Sequence, residues 1–377
     1  MQRNRREFLR TSGGALLAAV LPSAIARVSP IPQGDTTVNA ADLYRNAFVL
    51  DCNTLASIGS LAKDSDFRDE LDAIRGSGID AVKSTLGGAN GSFEETVADI
   101  AAAQAMVETH PDFFLKVKNH ADLERCKPEN KFGVIFSFEA ASMLGDKVDR
   151  IDLFRNLDVL VMQLSYNHDT PFGHGCLDGE TGGVTDLGKQ AIARMNTLGV
   201  ALDLSHSNTQ TTAEGIALSM KPPLITHAGC RAVFMHPRNK RDREMKALAD
   251  KGGVFGVYML PFLTPDDRQP MLADYMQHMA HALKVCGEDH VGIGTDTAFF
   301  TVTDTDLKEM KEDEENRRKM GVGAPGENRP PYIPDINTPR KLERVADALL
   351  KHGYSARVAD KVLGLNFSRA FREIWTA

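Results

Sequence analysis

Two histidines stand where two apolar runs stop. In GVALDLSHSNTQ, residues 199–210, Val200, Leu202 and Leu204 alternate with smaller or polar residues and lead to His206. In PLITHAGCRAVFMHPRN, residues 223–239, Leu224 and Ile225 lead to His227, 21 positions after the first. A strand alternates its side chains, so the last residues of two strands can project from one rim of a sheet. Two imidazoles meeting at a rim suit a metal, since neutral imidazole is the commonest ligand. The other reading of the pair is two strand-end histidines held by backbone hydrogen bonds. Glu139, in SFEAASML, ends a third apolar run and adds a carboxylate. A carboxylate there needs a compensating partner, either a metal or an ion pair. Two imidazoles and one carboxylate form the protein ligand set of many catalytic zinc sites, which keep a fourth position for water. Zinc lowers the pKa of that water toward ~7 and so makes a nucleophile for an amide carbonyl.

Eight strand-like runs are available to position these residues. They are FVLDCN at 48, GIDAVKSTL at 78, GVIFSFEAA at 133, LDVLVMQLSYN at 157, GVALDLSHS at 199, PLITHAG at 223, GGVFGVYML at 252 and HVGIGTD at 290. Between them FEETVADIAAAQAMVETHP, LGKQAIARMNTLG and YMQHMAHALKVCG carry apolar residues at helical spacing. Strands alternating with helices make a parallel sheet, and eight of them close into a (β/α)8 TIM barrel. No Gly-x-Gly-x-x-Gly follows the first run, which argues against an open dinucleotide-binding sheet. Polar residues gather at the carboxyl ends of the runs: Asp51, Asn53, Glu139, Tyr166, Asn167, His206, His227 and Asp296. That face carries the chemistry of barrel enzymes.

Several segments together resemble the membrane (renal-type) dipeptidases, a family of zinc-dependent barrel hydrolases. They are LDLSH at His206, the TH and HPRN segments from His227 to Asn239, GVTDLG at 183, VGIGTD at 291 and LGLNFSRAF near the end. The resemblance covers nearly all of the chain after its amino terminus. It implies hydrolysis of a dipeptide amide bond by a metal-activated water. It implies that Glu139, His206 and His227 hold zinc, that Arg238 holds the substrate's carboxylate, that Asp296 faces the substrate amine or the attacking water, and that Tyr166 contacts the reacting carbonyl. It also implies a homodimer. One stretch departs from the family. The first strand there ends Asp-Gly-His-x-Asp and binds a second zinc, whereas this chain reads Asp51-Cys52-Asn53-Thr54-Leu55. Asn53 offers only a weak oxygen and Leu55 none, and Asp51 lies about 7 Å farther back on the same face. One zinc is therefore the expectation, with two, recruiting Asp51 or Asn53, as the alternative. The other functional readings are a barrel amidohydrolase for a different amide or ester, and a non-catalytic binding protein on the same scaffold.

The amino terminus reads as a twin-arginine signal over residues 1–26, with Arg5-Arg6, Phe8, a short apolar run and Ala24-Ile25-Ala26 as cleavage site. The expected location is periplasmic or secreted, without stable membrane insertion. Removing residues 1–26 leaves 40 basic and 50 acidic residues, a net charge of -10. That balance argues against nucleic acid and anionic membrane as partners, and the resemblance implies a small-molecule substrate. Five scattered cysteines show no Cys-x-x-Cys, and their odd count leaves at least one thiol free. Residues 38–377 then form one barrel domain. It is interrupted at about 301–333 by a charged, then Gly- and Pro-rich insertion, either a lid over the catalytic face or a solvated excursion. After it, TPRKLERVADALLKHGY reads as a helix with Thr338 as N-cap, Pro339 at its first position and Gly353 at its end.

Overall fold

The computed structural model describes residues 38–55, 68–265, 267–321 and 323–376. The signal assigned to residues 1–26 lies outside them.

Nine parallel strands form one sheet: β1 (Leu50–Thr54), β2 (Ala81–Thr85), β3 (Phe114–Lys116), β4 (Phe132–Phe138), β5 (Val159–Gln163), β6 (Ala201–Asp203), β7 (Leu224–Ala228), β8 (Val254–Val257) and β9 (Val291–Ile293). Eight follow in the order β1-β2-β4-β5-β6-β7-β8-β9 and coincide with the eight expected runs. The segment after β9 closes the ring on β1, where Asp296 N donates to Asn53 O at 2.8 Å and Leu55 N to Thr297 O at 3.3 Å. The barrel is thus the expected (β/α)8 architecture.

The ninth strand, β3, is absent from the sequence reading. It pairs Phe114 to Lys116 with Phe132 to Val134 of β4, while β5 pairs only with Phe136 to Phe138. β4 is long enough to need two partners on that edge, and a three-residue piece fills the lower half.

The core divides the barrel into two halves. At the amino-terminal end Leu50, Cys52, Ile135, Ala201, Leu224 and Val254 meet Phe367, Phe371 and Trp375 of the last helical segment. Phe371 and Trp375 stack with centroids 4.2 Å apart. Gly292 of β9 lets this plug approach, since a Cβ there would sit 2.5 Å from Phe367 Cε2. The carboxyl-terminal half is polar though buried, with Lys83, Ser137, Gln163, Asp203, Thr226 and His227 among its residues. A polar interior is costly unless every group is paired, so this half is built for a purpose other than stability.

Helices fill the connections, and Phe93–Thr109, Asp186–Leu198 and Leu272–Cys286 correspond to the three expected amphipathic stretches. The helix expected from Thr338 starts later, as Lys341–Lys351 with Arg340 at its N-cap. Thr338 N instead bonds back to Ile336 O at 2.8 Å, so Thr338 and Pro339 belong to the preceding turn. All five cysteines are buried, free thiols. Among the described residues no helix is long and apolar enough to cross a membrane.

Candidate metal centre and substrate cleft

Glu139 follows β4, His206 follows β6 and His227 lies in β7; β6 and β7 are neighbours, β5 stands between β4 and β6, and all three residues reach the carboxyl-terminal rim. Their ligand atoms lie within 4.8 Å of one another, and all three residues are buried. His206 Nε2 stands 3.0 Å from His227 Nε2 and 3.6 Å from Glu139 Oε2.

The hydrogen bonds behind the two rings decide which nitrogens face inward. His206 Nδ1 lies 2.8 Å from Asn167 Oδ1, an acceptor, so Nδ1 carries the proton. His227 Nδ1 lies 2.9 Å from Thr226 Oγ1. That hydroxyl donates its one proton to Asp203 Oδ2 at 2.6 Å, so it accepts from His227 Nδ1. Asp203 is in turn fixed by Gln163 Nε2 at 2.9 Å and Ser205 Oγ at 2.6 Å. Both Nε2 atoms therefore present lone pairs to one point. Burial holds both imidazoles well below their ordinary value, with Arg238 and other nearby cations adding to the effect, so neither ring is charged. Two converging lone pairs beside a carboxylate oxygen repel each other unless a cation joins them; here Arg238 Nη2 donates to His206 Nε2 at 3.0 Å, a contact that a metal between the three would replace. The three residues fit a divalent metal, each ring fixed by a hydrogen bond to its other nitrogen.

Arg238 is buried at the same point. Its Nη1 donates to Ser205 O at 2.6 Å and its Nη2 lies 3.0 Å from His206 Nε2. It makes no surface ion pair; Asp242 instead faces His281 at 2.8 Å. Tyr166 stacks on the His206 ring with centroids 4.1 Å apart, and burial pushes its phenol up. Asp296 follows β9 with φ of 56° and accepts from Asn53 Nδ2 at 2.8 Å. Burial, with the charge of Glu139 adding to it, pushes its carboxyl up to about 7.

The first strand supplies no visible second ligand set. Both oxygens of Asp51 are taken by Thr295, through its backbone N at 2.8 Å and its hydroxyl at 2.6 Å. Its carboxylate therefore helps close the barrel and stands outside the Glu139, His206 and His227 cluster. Asn53 is committed by its amide nitrogen to Asp296, and its Oδ1 is buried with no hydrogen-bond partner. Leu55 lines the cleft.

Residues with no place in the sequence reading complete the centre. Lys83 of β2 is wholly buried, with Nζ 3.8 Å from Glu139 Oε1. Thr85 Oγ1 donates to the same oxygen at 2.7 Å. Thr226 fixes the His227 ring, while Asn167, already expected at the rim, fixes that of His206. The available signal was polar residues inside otherwise apolar runs, Lys83 in AVKSTL and Asp203 in LDLSH.

Above the rim lies a cleft of about 730 Å3, its open mouth included. Tyr166, His206, Arg238 and Asp296 line it from the barrel; Met310, Glu314, Arg317, Glu327 and Arg329 line it from the insertion. The insertion is thus a cover, and half of it is the helix Asp304–Met320, capped by Thr303 and Asp306. Arg329 pins its far end, donating to the carbonyls of Pro261 at 2.7 Å and Pro265 at 2.9 Å.

Residues 65–314 match the family described as membrane dipeptidase, peptidase family M19. The chain belongs to that family. It is 26% identical over 265 residues to an uncharacterized Klebsiella pneumoniae protein encoded in the pqqA 5′ region, covering 68% of this chain and 87% of that protein. It is 21% identical to the dipeptidase tcpJ of Claviceps purpurea, covering 75% of this chain but only 60% of the relative's length. A solved amidohydrolase structure from Pseudomonas aeruginosa superposes with a TM-score of 0.74 at 27% identity, over 90% of this chain and all of the other. This M19 chain is therefore by family a metallopeptidase of the dipeptidase class, with a metal cofactor and a small-molecule substrate.

Proposed function

We propose that the protein is a dipeptidase working with one zinc ion held by Glu139, His206 and His227. The observation that carries this is the pair of inward-facing imidazole nitrogens, 3.0 Å apart, with that of His206 3.6 Å from a Glu139 oxygen, at the base of the cleft. When bound there, zinc supplies an activated water and polarises a carbonyl.

The chain's own residues do the rest. Arg238 binds the substrate's free carboxylate, because a guanidinium fork matches two oxygens at once. Asp296, buried and with its carboxyl near neutrality, sits where it can hold the substrate amine or carry a proton for the departing one. Tyr166 packs against His206 and bounds the reacting carbonyl. The insertion helix covers one side of the cleft.

The test is hydrolysis of free and carboxyl-amidated dipeptides by zinc-loaded wild-type and Arg238→Ala proteins. A charge-assisted contact contributes about 1.5 to 3 kcal/mol, so kcat/KM on free dipeptides should fall by about tenfold to two-hundredfold. The loss on amidated substrates should be small. An equal loss on both would remove Arg238 from the carboxylate role. Absence of hydrolysis of every dipeptide would shift the assignment to another amide or ester.

A further inference from the structure

Lys83 is a buried charge beside a candidate metal ligand that the proposed reaction does not use. Its side chain is wholly buried, and its ion partner among the described residues is Glu139. Its only other polar contact there is a weak one, Nζ to Ser137 Oγ at 3.4 Å. Burying an ammonium with so few partners is expensive, so its position answers to Glu139.

The two oxygens of Glu139 are divided. Oε1 takes Lys83 at 3.8 Å and the Thr85 hydroxyl at 2.7 Å. Oε2 faces His206 Nε2 at 3.6 Å. Oε2 is therefore the freer of the two for a metal.

We propose that Lys83 is a positioning residue that supplies a fixed second cation to a one-metal centre. Its ammonium holds Glu139 by Oε1, blocks a second ion on that side, and keeps the carboxylate from giving its full charge to the metal on Oε2. Such a carboxylate orients the ion but leaves it a stronger electrophile. The inference rests on the metal-hydrolase reading above and adds a residue that touches neither metal nor substrate.

Thr85 gives the control. It holds the same oxygen without a charge, so loss of orientation and loss of charge separate. Zn2+ affinity is measured by competition with a chromophoric chelator on wild-type, Lys83→Gln, Lys83→Met and Thr85→Val proteins, with thermal melts beside it. Removing a cation so close to a metal ligand should tighten Zn2+ binding by about tenfold in both Lys83 variants. Their kcat on a dipeptide should fall by about tenfold or more at nearly unchanged KM, and Lys83→Arg should restore most of it. Thr85→Val should weaken Zn2+ binding instead. Weaker or unchanged binding in the Lys83 variants, with melts intact, would overturn the proposal and reduce Lys83 to a prop. So would more than one tightly held Zn2+ per wild-type chain, a result that needs no variant. A wild-type protein that takes up no Zn2+ overturns the metal-hydrolase reading itself, and that is seen first.

Discussion

Thr226 shows how much of the site depends on side chains that touch no substrate. Its hydroxyl links Asp203 to His227 and so decides which imidazole nitrogen faces the metal. Thr226→Val keeps the shape of the side chain and removes the link. Loss of such an outer partner typically costs tenfold to a hundredfold in metal affinity, so we expect Zn2+ binding to weaken by about that factor. Chelator competition checks this; unchanged affinity would mean that His227 needs no such orientation. At this scale the sequence was informative for Glu139, His206, His227, Arg238, Asp296 and Tyr166, all of which the fold brings to one rim. It was silent on Lys83, because an isolated lysine in a strand reads as solvent-facing and only a closed barrel puts it inside. Asp51 was legible as a rim carboxylate, but nothing local shows that Thr295, 244 positions away, claims both of its oxygens.

Among the elements, the eight barrel strands were legible because each is a largely apolar run and most of them end in polar residues. β3 was not, since three residues carry no pattern of their own and form a strand only against the long edge of β4. The helix Asp304–Met320 was not legible either. Its sequence, DTDLKEMKEDEENRRKM, lacks an apolar stripe, and a Thr303–Asp306 capping box starts it. The insertion stays over the cleft through a few anchors, and Arg329 is the central one. Arg329→Ala removes the donor to Thr264 O and one of two donors to Pro261 O, and a buried carbonyl left unpaired costs about 1–3 kcal/mol. We expect faster hydrogen exchange across residues 304–331 and a KM for dipeptides raised about tenfold, while exchange in the barrel strands stays as in wild type. Exchange unchanged over the insertion would show that other contacts hold the cover.

At the scale of the whole molecule, the polar half of the barrel faces the cleft and the apolar half is sealed by Phe367, Phe371 and Trp375. Stability is concentrated at one end and chemistry at the other, as barrels generally divide them. The amino-terminal segment lies outside the described residues. We propose, from Arg5, Arg6 and Phe8, that it directs twin-arginine export and leaves the mature protein in the periplasm or outside the cell. The prediction is that changing Arg5 and Arg6 to Lys retains precursor in the cytoplasm, read by fractionation. Undiminished mature protein in the periplasm would contradict it.

The central claim is that Glu139, His206 and His227 form one metal site and that the chain holds no second. Bound zinc per chain, measured on zinc-loaded protein after removal of free metal, tests it directly on wild type, His206→Ala and His227→Ala. The account predicts one zinc ion in the wild type and almost none in either variant, since each loses one of three protein ligands. Two zinc ions in the wild type, or a content that survives the loss of either histidine, would contradict it.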